Sequence, residues 1–338
     1  MGKTKGTEAA GRKKRTGWKA LCGIVAALLL FFAVINGIPP KPVMDRNPFI
    51  KAEGALPMIA AHRGGGVSNP ENTLMAFRAA VHEYHIQICE SDLWMTRDGR
   101  LVFSHDGSIN RMACPEGAEP MTIAEHTLEE LRTYNMGYNF RDPESGEYIY
   151  RDLSEEEQAA LGLKILEFHE LLEEFCQSDP DLLFIVEIKN GGETGFAAAD
   201  LIDRTLTERF PAYKSNFVVG TFHPEIEKYL KTEHPTLMRG ASTSGAAKFI
   251  LTQLLHVNLL SGADFTCLQI PVGYSLKGFQ LDLTRDTYIR QAHRRNIAVQ
   301  YWTINDADEM RFLIERGVDA IMTDDPLLLK QVLAEYGG

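Results

Sequence analysis

The chain is poor in cysteine, and nothing in the spacing puts the few it has to structural use. Five cysteines occur in 338 residues. Cys22 lies inside a long apolar run, and Cys89, Cys114, Cys176 and Cys267 are widely separated, with no CxxC pair. That argues against a disulfide scaffold and against a structural zinc site. Cys89 and Cys267 fall in apolar, strand-like runs, where a buried free thiol is expected. A basic body is also missing. Residues 1–19 hold Lys3, Lys5, Arg12, Lys13, Lys14, Arg15 and Lys19 against Glu8 alone, a net of +6, so of the formal charge of −11 the rest of the chain carries −17. An acidic body offers no basic stripe to a phosphate backbone, which excludes nucleic acid as the natural partner and suits a bound cation better. No internal repeat is visible, and beyond the basic tail there is no low-complexity tract.

What is present starts with the one long apolar run. Ala20 to Ile38 carries no charge and only Asn36 as a strongly polar side chain, about the length that spans a bilayer core as a helix. Positive charge precedes it, which orients the N-terminus to the cytoplasm and the remainder outside. A cleaved signal peptide is the alternative, but no clean small-x-small cleavage site follows. The expected organisation is a basic cytoplasmic tail over 1–19, a transmembrane anchor over 20–38, a linker over 39–55 stiffened by Pro39, Pro40, Pro42 and Pro48, and one domain over 56–338 on the outer face of the cell membrane. With 44% hydrophobic and 24% charged residues, that domain can bury a single large core.

Short apolar runs recur at Met58 to Ala61, Ile86 to Asp92, Leu182 to Ile188, Phe217 to Thr221, Thr236 to Gly240, Phe265 to Ile270, Ile297 to Thr303 and Ala320 to Thr323. Most are followed by segments of helical period, such as Leu74, Phe77 and Val81, or Met310, Leu313 and Ile314. Eight strand–helix units predict an α/β fold of the (β/α)8 TIM-barrel type. Leu101 to Ser104 follows Arg97-Asp98-Gly99-Arg100 too closely for a helical crossover, so it reads as an extra antiparallel hairpin strand. Gly107 to about Lys164 is long, polar and rich in turn formers, and reads as an insertion at the rim. Lys248 to Leu260 is apolar enough to touch lipid, although an inward-facing barrel helix is the simpler expectation.

The charged residues cluster at strand ends. In Ile88-Cys89-Glu90-Ser91-Asp92 the strand period of two puts both carboxylates on one face, where a divalent cation would neutralise them. Glu187 and Lys189 repeat the spacing, adding a candidate metal ligand and a candidate phosphate contact. His62 and Arg63 end the first strand before Gly64-Gly65-Gly66; histidine can move a proton near neutral pH, and arginine can fork onto phosphate oxygens. Glu71 lies just ahead of a helix capped by Asn72 or Thr73, close enough in sequence to touch the metal or its water shell. His105 ends the hairpin strand, either as a second proton-transfer group or as a surface turn residue. Trp302 either walls the substrate pocket or packs at the rim. Asp324 supports the site from behind or caps a helix.

Taken in order, AHRGGG with PENT, then ESD, SHD, VEIK, WTIND and IMTDDP resemble the glycerophosphodiester phosphodiesterase family over roughly residues 58 to 330. The resemblance implies a metal-dependent hydrolase that releases glycerol 3-phosphate and an alcohol. It implies His62 and His105 as the acid and base, Glu90, Asp92 and Glu187 as ligands of Ca2+ or Mg2+, and Arg63 and Lys189 on the phosphate. The segment after His105-Asp106 departs from the family's short link and leaves the substrate open: a deacylated headgroup, a lysophospholipid or a cell-wall glycerophosphate polymer. A glycoside hydrolase would also pair carboxylates in a barrel but needs neither histidine. A silent barrel that only binds would be expected to have lost one of these groups.

Overall fold

A computed structural model of the chain describes residues 6–276 and 278–337. Its strands are β1 (Met58–His62), β2 (Ile88–Met95), β3 (Leu101–Phe103), β4 (Leu183–Ile188), β5 (Phe217–Gly220), β6 (Met238–Arg239), β7 (Cys267–Ile270), β8 (Gly273–Leu276), β9 (Phe279–Asp282), β10 (Ala298–Tyr301) and β11 (Ala320–Thr323). Eight of them pair in parallel in the order β6-β5-β4-β2-β1-β11-β10-β7. A bridge between Gly240 and Cys267 closes the ring, with the Ala241 amide donating to the Cys267 carbonyl at 2.8 Å. These are the eight apolar runs of the sequence, in a (β/α)8 barrel. The strands read as continuous apolar runs because both faces are covered: Ile88, Ala60, Val218 and Ala298 fill the interior, while Cys89, Ala61, Val219 and Val299 pack outward on the helices. All five cysteines are unpaired, and the four in the body are buried.

The extra hairpin strand is present, β3 pairing antiparallel with the end of β2. A second hairpin, β8 with β9, follows β7 directly and was not legible beforehand. The rim insertion is less irregular than its composition suggests. It forms short helices at Asn110–Ala113, Leu128–Arg132 and Glu155–Leu161, and Ile109, Ile123, Leu131 and Met136 give it a small apolar core with Val102 and Ile165.

Two expectations change. The segment 39–55 is not merely a spacer, because it crosses the floor of the barrel, the end where the strands begin. The Val43 amide donates to the Arg295 carbonyl at 2.8 Å, Asn47 Nδ2 donates to the carbonyls of Thr266 and Asn296 at 2.9 Å each, and the Lys51 amide donates to Asp319 Oδ1 at 3.2 Å. Phe49 between them is fully buried and plugs the interior cluster from below. The run from Lys248 to Leu260 is not simply inward-facing either. In the helix Thr243–Leu254 and the turn Asn258–Leu260, Phe249 and Ile250 point into the core, but Leu251, Leu254, Leu255 and Leu260 are exposed. The helix is apolar on both faces.

Candidate active site

At the other end of the barrel, where the strands finish, the strand register decides which charges meet. His62 pairs with Glu90 across β1 and β2, and Asp92 pairs with Glu187 across β2 and β4. The period of two on β2 then turns Glu90 and Asp92 the same way, into the mouth. Both are buried, at 6% and 2% exposure, a costly place for carboxylates without a cation. Lys189 supplies one positive charge, its Nζ lying 3.0 Å from Asp92 Oδ1 and 3.0 Å from Glu187 Oε1. Burial pushes the Glu90 carboxyl well above the ordinary carboxylate range, and charge on Asp92 and Glu187 adds to that. Burial and Asp92 raise Glu187 as well. Burial would lower the Lys189 ammonium, but Asp92 and Glu187 outweigh it and hold the group above its usual value.

Arg63 enters the mouth through a left-handed backbone, φ 54°, an uncommon conformation for a side-chain-bearing residue. Its amide is held by the Glu90 carbonyl at 2.9 Å. Its guanidinium reaches Glu71 Oε1 at 3.3 Å and Asp92 Oδ2 at 3.5 Å. Neither Arg63 Nε nor Asp92 Oδ2 has a hydrogen-bond partner although both are buried, so donor and acceptor capacity is left over where the charges converge. Gly64 and Gly65 make the turn behind Arg63 with φ of 81° and 88°. A Cβ at Gly65 would sit 2.7 Å from Pro326 Cγ. Here the glycines serve the tight turn and its packing.

The two histidines are held alike. His62 Nδ1 lies 2.5 Å from Asp324 Oδ1, and His105 Nδ1 lies 2.8 Å from Asp106 Oδ1. Each carboxylate fixes its ring and leaves Nε2 out of hydrogen bonds, with His62 Nε2 3.9 Å from Glu90 Oε2. Burial works against the His62 imidazolium, but the bond to Asp324 and the charge of Glu90 outweigh it and raise its pKa above the ordinary value. Asp324 is itself oriented by Asn305, whose Nδ2 donates to Asp324 Oδ2 at 2.7 Å. The Asp324 amide returns a bond to Asn305 Oδ1 at 2.9 Å. Of the two roles open to Asp324, the structure gives it the bond to His62, while Asp325 caps the following helix through Leu328. Thr73, not Asn72, is the cap of the earlier helix. Asn72 takes a left-handed backbone, φ 59°, and accepts from the Ser91 hydroxyl.

Arg111, in the rim insertion, was missed by the sequence reading. Its Nη2 lies 2.6 Å from Glu71 Oε1 and its Nε 2.6 Å from Asp106 Oδ2, so it ties the glutamate of the first loop to the aspartate that orients His105. No spacing signal marks it, because insertion and first loop meet only in the fold. Trp302 is half-buried beside the interior cluster and meets exposed Phe222 edge-on, ring centres 6.5 Å apart, so it both packs and lines the rim. Among the described residues, no three His, Cys, Asp or Glu side chains close on one point as a formed metal cage; Lys189 stands between Asp92 and Glu187.

A family model described as the glycerophosphoryl diester phosphodiesterase family matches residues 62–328. The chain belongs to that family. The match begins at His62 and runs past Asp324, so it contains the whole mouth. A glycerophosphodiester phosphodiesterase of Caldanaerobacter subterraneus is 26% identical over 282 residues, 83% of this chain and 99% of that protein. The fold is shared with a crystal structure of a glycerophosphodiester phosphodiesterase from Agrobacterium tumefaciens, at TM-score 0.60 and 18% identity over 82% of this chain and 100% of the other. It is also shared with an Oleispira antarctica phosphodiesterase in complex with the product sn-glycerol-3-phosphate, at TM-score 0.59 and 20% identity over 82% and 97%. As a member of the family the chain is a phosphodiester hydrolase, not a glycoside hydrolase or a silent barrel.

Proposed function

We propose that the chain hydrolyses glycerophosphodiesters to glycerol 3-phosphate and an alcohol, with His62 and His105 as the proton-transfer pair and a divalent cation, Ca2+ or Mg2+, held by Glu90, Asp92 and Glu187. The observation that carries the reading is the matched pair of histidines, each with Nδ1 on a carboxylate, and with His62 Nε2 on the side of Glu90, 3.9 Å from its Oε2. Cleaving a phosphodiester calls for one group to take the proton of the nucleophile and one to give a proton to the leaving alcohol, and two such imidazoles can do both. The donor set fits a hard cation: it is all oxygen, rich in negative charge, and includes a buried Asp92 oxygen that accepts no hydrogen bond and has Arg63 Nε near it, at 3.5 Å. When bound, the cation would neutralise phosphoryl oxygens and the carboxylates that hold it. Arg63 and Lys189 line the same space and would contact the remaining phosphate oxygens, with Glu71 fixing the Arg63 fork and Trp302 forming a wall for the substrate.

The N-terminal helix, Gly6–Gly37, contains an apolar stretch, Trp18–Gly37, long enough to cross a membrane. We read it as a retained single-pass anchor with the barrel outside the cytoplasm. The support is that its end docks on the body: Ile35 is buried and Asn36 Nδ2 donates to the His256 carbonyl at 2.9 Å. A segment destined for removal has no need of such contacts.

The test is release of glycerol 3-phosphate from glycerophosphocholine by the full chain in detergent, before and after EDTA and with Ca2+ or Mg2+ restored, beside His62→Ala, His105→Ala and Glu90→Ala. Release that EDTA abolishes, that either ion restores and that each variant loses is the expected result. EDTA-resistant release would remove the cation from the reading, and full activity in either histidine variant would remove that histidine.

A further inference from the structure

We infer that the exposed leucines of Thr243–Leu254 and the turn after it enter the lipid surface beside the anchor, so that the barrel stands floor-down on the membrane with its mouth turned away. The inference rests on the anchor reading. In a (β/α)8 barrel each helix runs back from the mouth to the floor, so the end of Thr243–Leu254 lies at the floor. There the turn Asn258–Leu260 contacts the end of the N-terminal helix, and Asn36 bonds to the His256 carbonyl between them.

Ala247, Leu251, Leu254 and Leu255 recur outward at helical spacing, opposite Phe249, Ile250 and Gln253, which are buried. Leu251 and Leu255 are each 55% exposed and Leu260 is 57% exposed, all within five residues of His256, where the span meets the body. A span that ends at the membrane interface carries this patch to the same depth, which is why lipid, rather than a second protein, is the occupant. The neighbouring floor carries exposed Lys41, Arg46 and Arg294 alongside exposed Asp45, Glu53 and Asp264, a mixed-charge rim that leaves the apolar side chains to carry the contact. The linker crosses the same floor, from Val43 to Lys51, so span, strap and leucine patch fix one face of the barrel against the bilayer. The charged mouth, at the far end, would then take its diester from water.

The full chain with Cys22→Ser, whose other cysteines are buried, is labelled with an environment-sensitive fluorophore at Leu29→Cys in the span, Leu255→Cys in the patch or Glu116→Cys in the rim insertion. Each is placed in phosphatidylcholine–phosphatidylglycerol vesicles containing lipids spin-labelled on the acyl chain. Its thermal unfolding transition is checked first. Fluorescence lost at positions 29 and 255 but kept at 116 is the expected result. Loss at 29 alone would overturn the patch while leaving the anchor in place. No loss at any position would overturn the anchor reading and the inference with it, and loss at 116 would overturn the floor-down orientation.

Discussion

Replacing Asp324 with asparagine changes one atom of the side chain and tests the role given to His62. Asp324 Oδ1 lies 2.5 Å from His62 Nδ1, and Asn305 Nδ2 donates to Asp324 Oδ2 at 2.7 Å. In Asp324→Asn the amide oxygen would keep the bond from Asn305, so the amide nitrogen would turn toward His62. An N–H facing Nδ1 forces the proton of the neutral ring onto Nε2, which bars that nitrogen from accepting one, and it removes the anion that favours the imidazolium, the form that donates one, so either proton-transfer role is impaired. Positioned acid–base groups contribute roughly 10²–10⁴ in rate. We expect kcat to fall on the order of 10²–10³-fold, about 3–4 kcal/mol of barrier, with KM nearly unchanged because Asp324 does not face the phosphate space. Burial lowers the His62 pKa and Asp324 raises it, so without the anion the apparent pKa assigned to His62 in the kcat profile should move to lower pH. The assay is glycerol 3-phosphate release across pH, with unfolding followed in parallel. A folded variant within threefold of the parent kcat and with an unmoved pH profile would refute the reasoning.

Glu187→Gln removes one of the three proposed ligand charges and should raise the Ca2+ or Mg2+ concentration for half-maximal activity by on the order of tenfold or more, measured by titrating metal into EDTA-treated protein. Arg111→Gln breaks the ties to Glu71 and Asp106 at once; we expect kcat to drop roughly tenfold, with Arg111→Lys failing to restore it because one ammonium cannot replace two separate guanidinium contacts. Phe49→Ala should cost about 3–5 kcal/mol of stability, read as a lower denaturation midpoint, while the catalytic constants of the folded fraction stay at parental values. In vesicles, glycerophosphocholine should be hydrolysed faster than a lysophospholipid held in the same bilayer, since the mouth is expected to face water; the reverse ratio would count against that orientation.

The barrel was legible because its strands are covered on both sides and so appear as uninterrupted apolar runs, while turn residues and helical periods separate them. The register that brings His62 to Glu90 and Asp92 to Glu187 follows from parallel strands each ending in a charged pair, so the centre of the site could be assembled from short motifs. Asp324 was visible only as a residue with two possible roles, because its distance from His62 in the chain hides a contact that ring closure creates. Arg111 was invisible for a similar reason: it works from an insertion whose composition marks turns and polarity. Phe49 and Asn47 were read as part of a proline-stiffened spacer, and no periodicity distinguishes a strap that is folded by contacts to Thr266, Asp319 and Asn296 from one that is free. The leucines after Lys248 misled in the opposite direction, since apolar content alone cannot tell a core face from an exposed one.

The two ends of this barrel divide the tasks of the chain. At the mouth, buried carboxylates, a left-handed arginine and partnerless polar atoms are kept in place at a cost to stability, which is reasonable only where a ligand offsets it. At the floor the opposite holds: Phe49 fills the interior, carbonyls left at strand starts are satisfied by Asn47, and the chain leaves toward its apolar helix. An anchor attached at the mouth would have forced the insertion and the substrate to compete with lipid for the same space. With the proposed anchor at the floor, away from the carboxylates and histidines of the mouth, substitutions that change tethering are expected to leave catalysis unchanged.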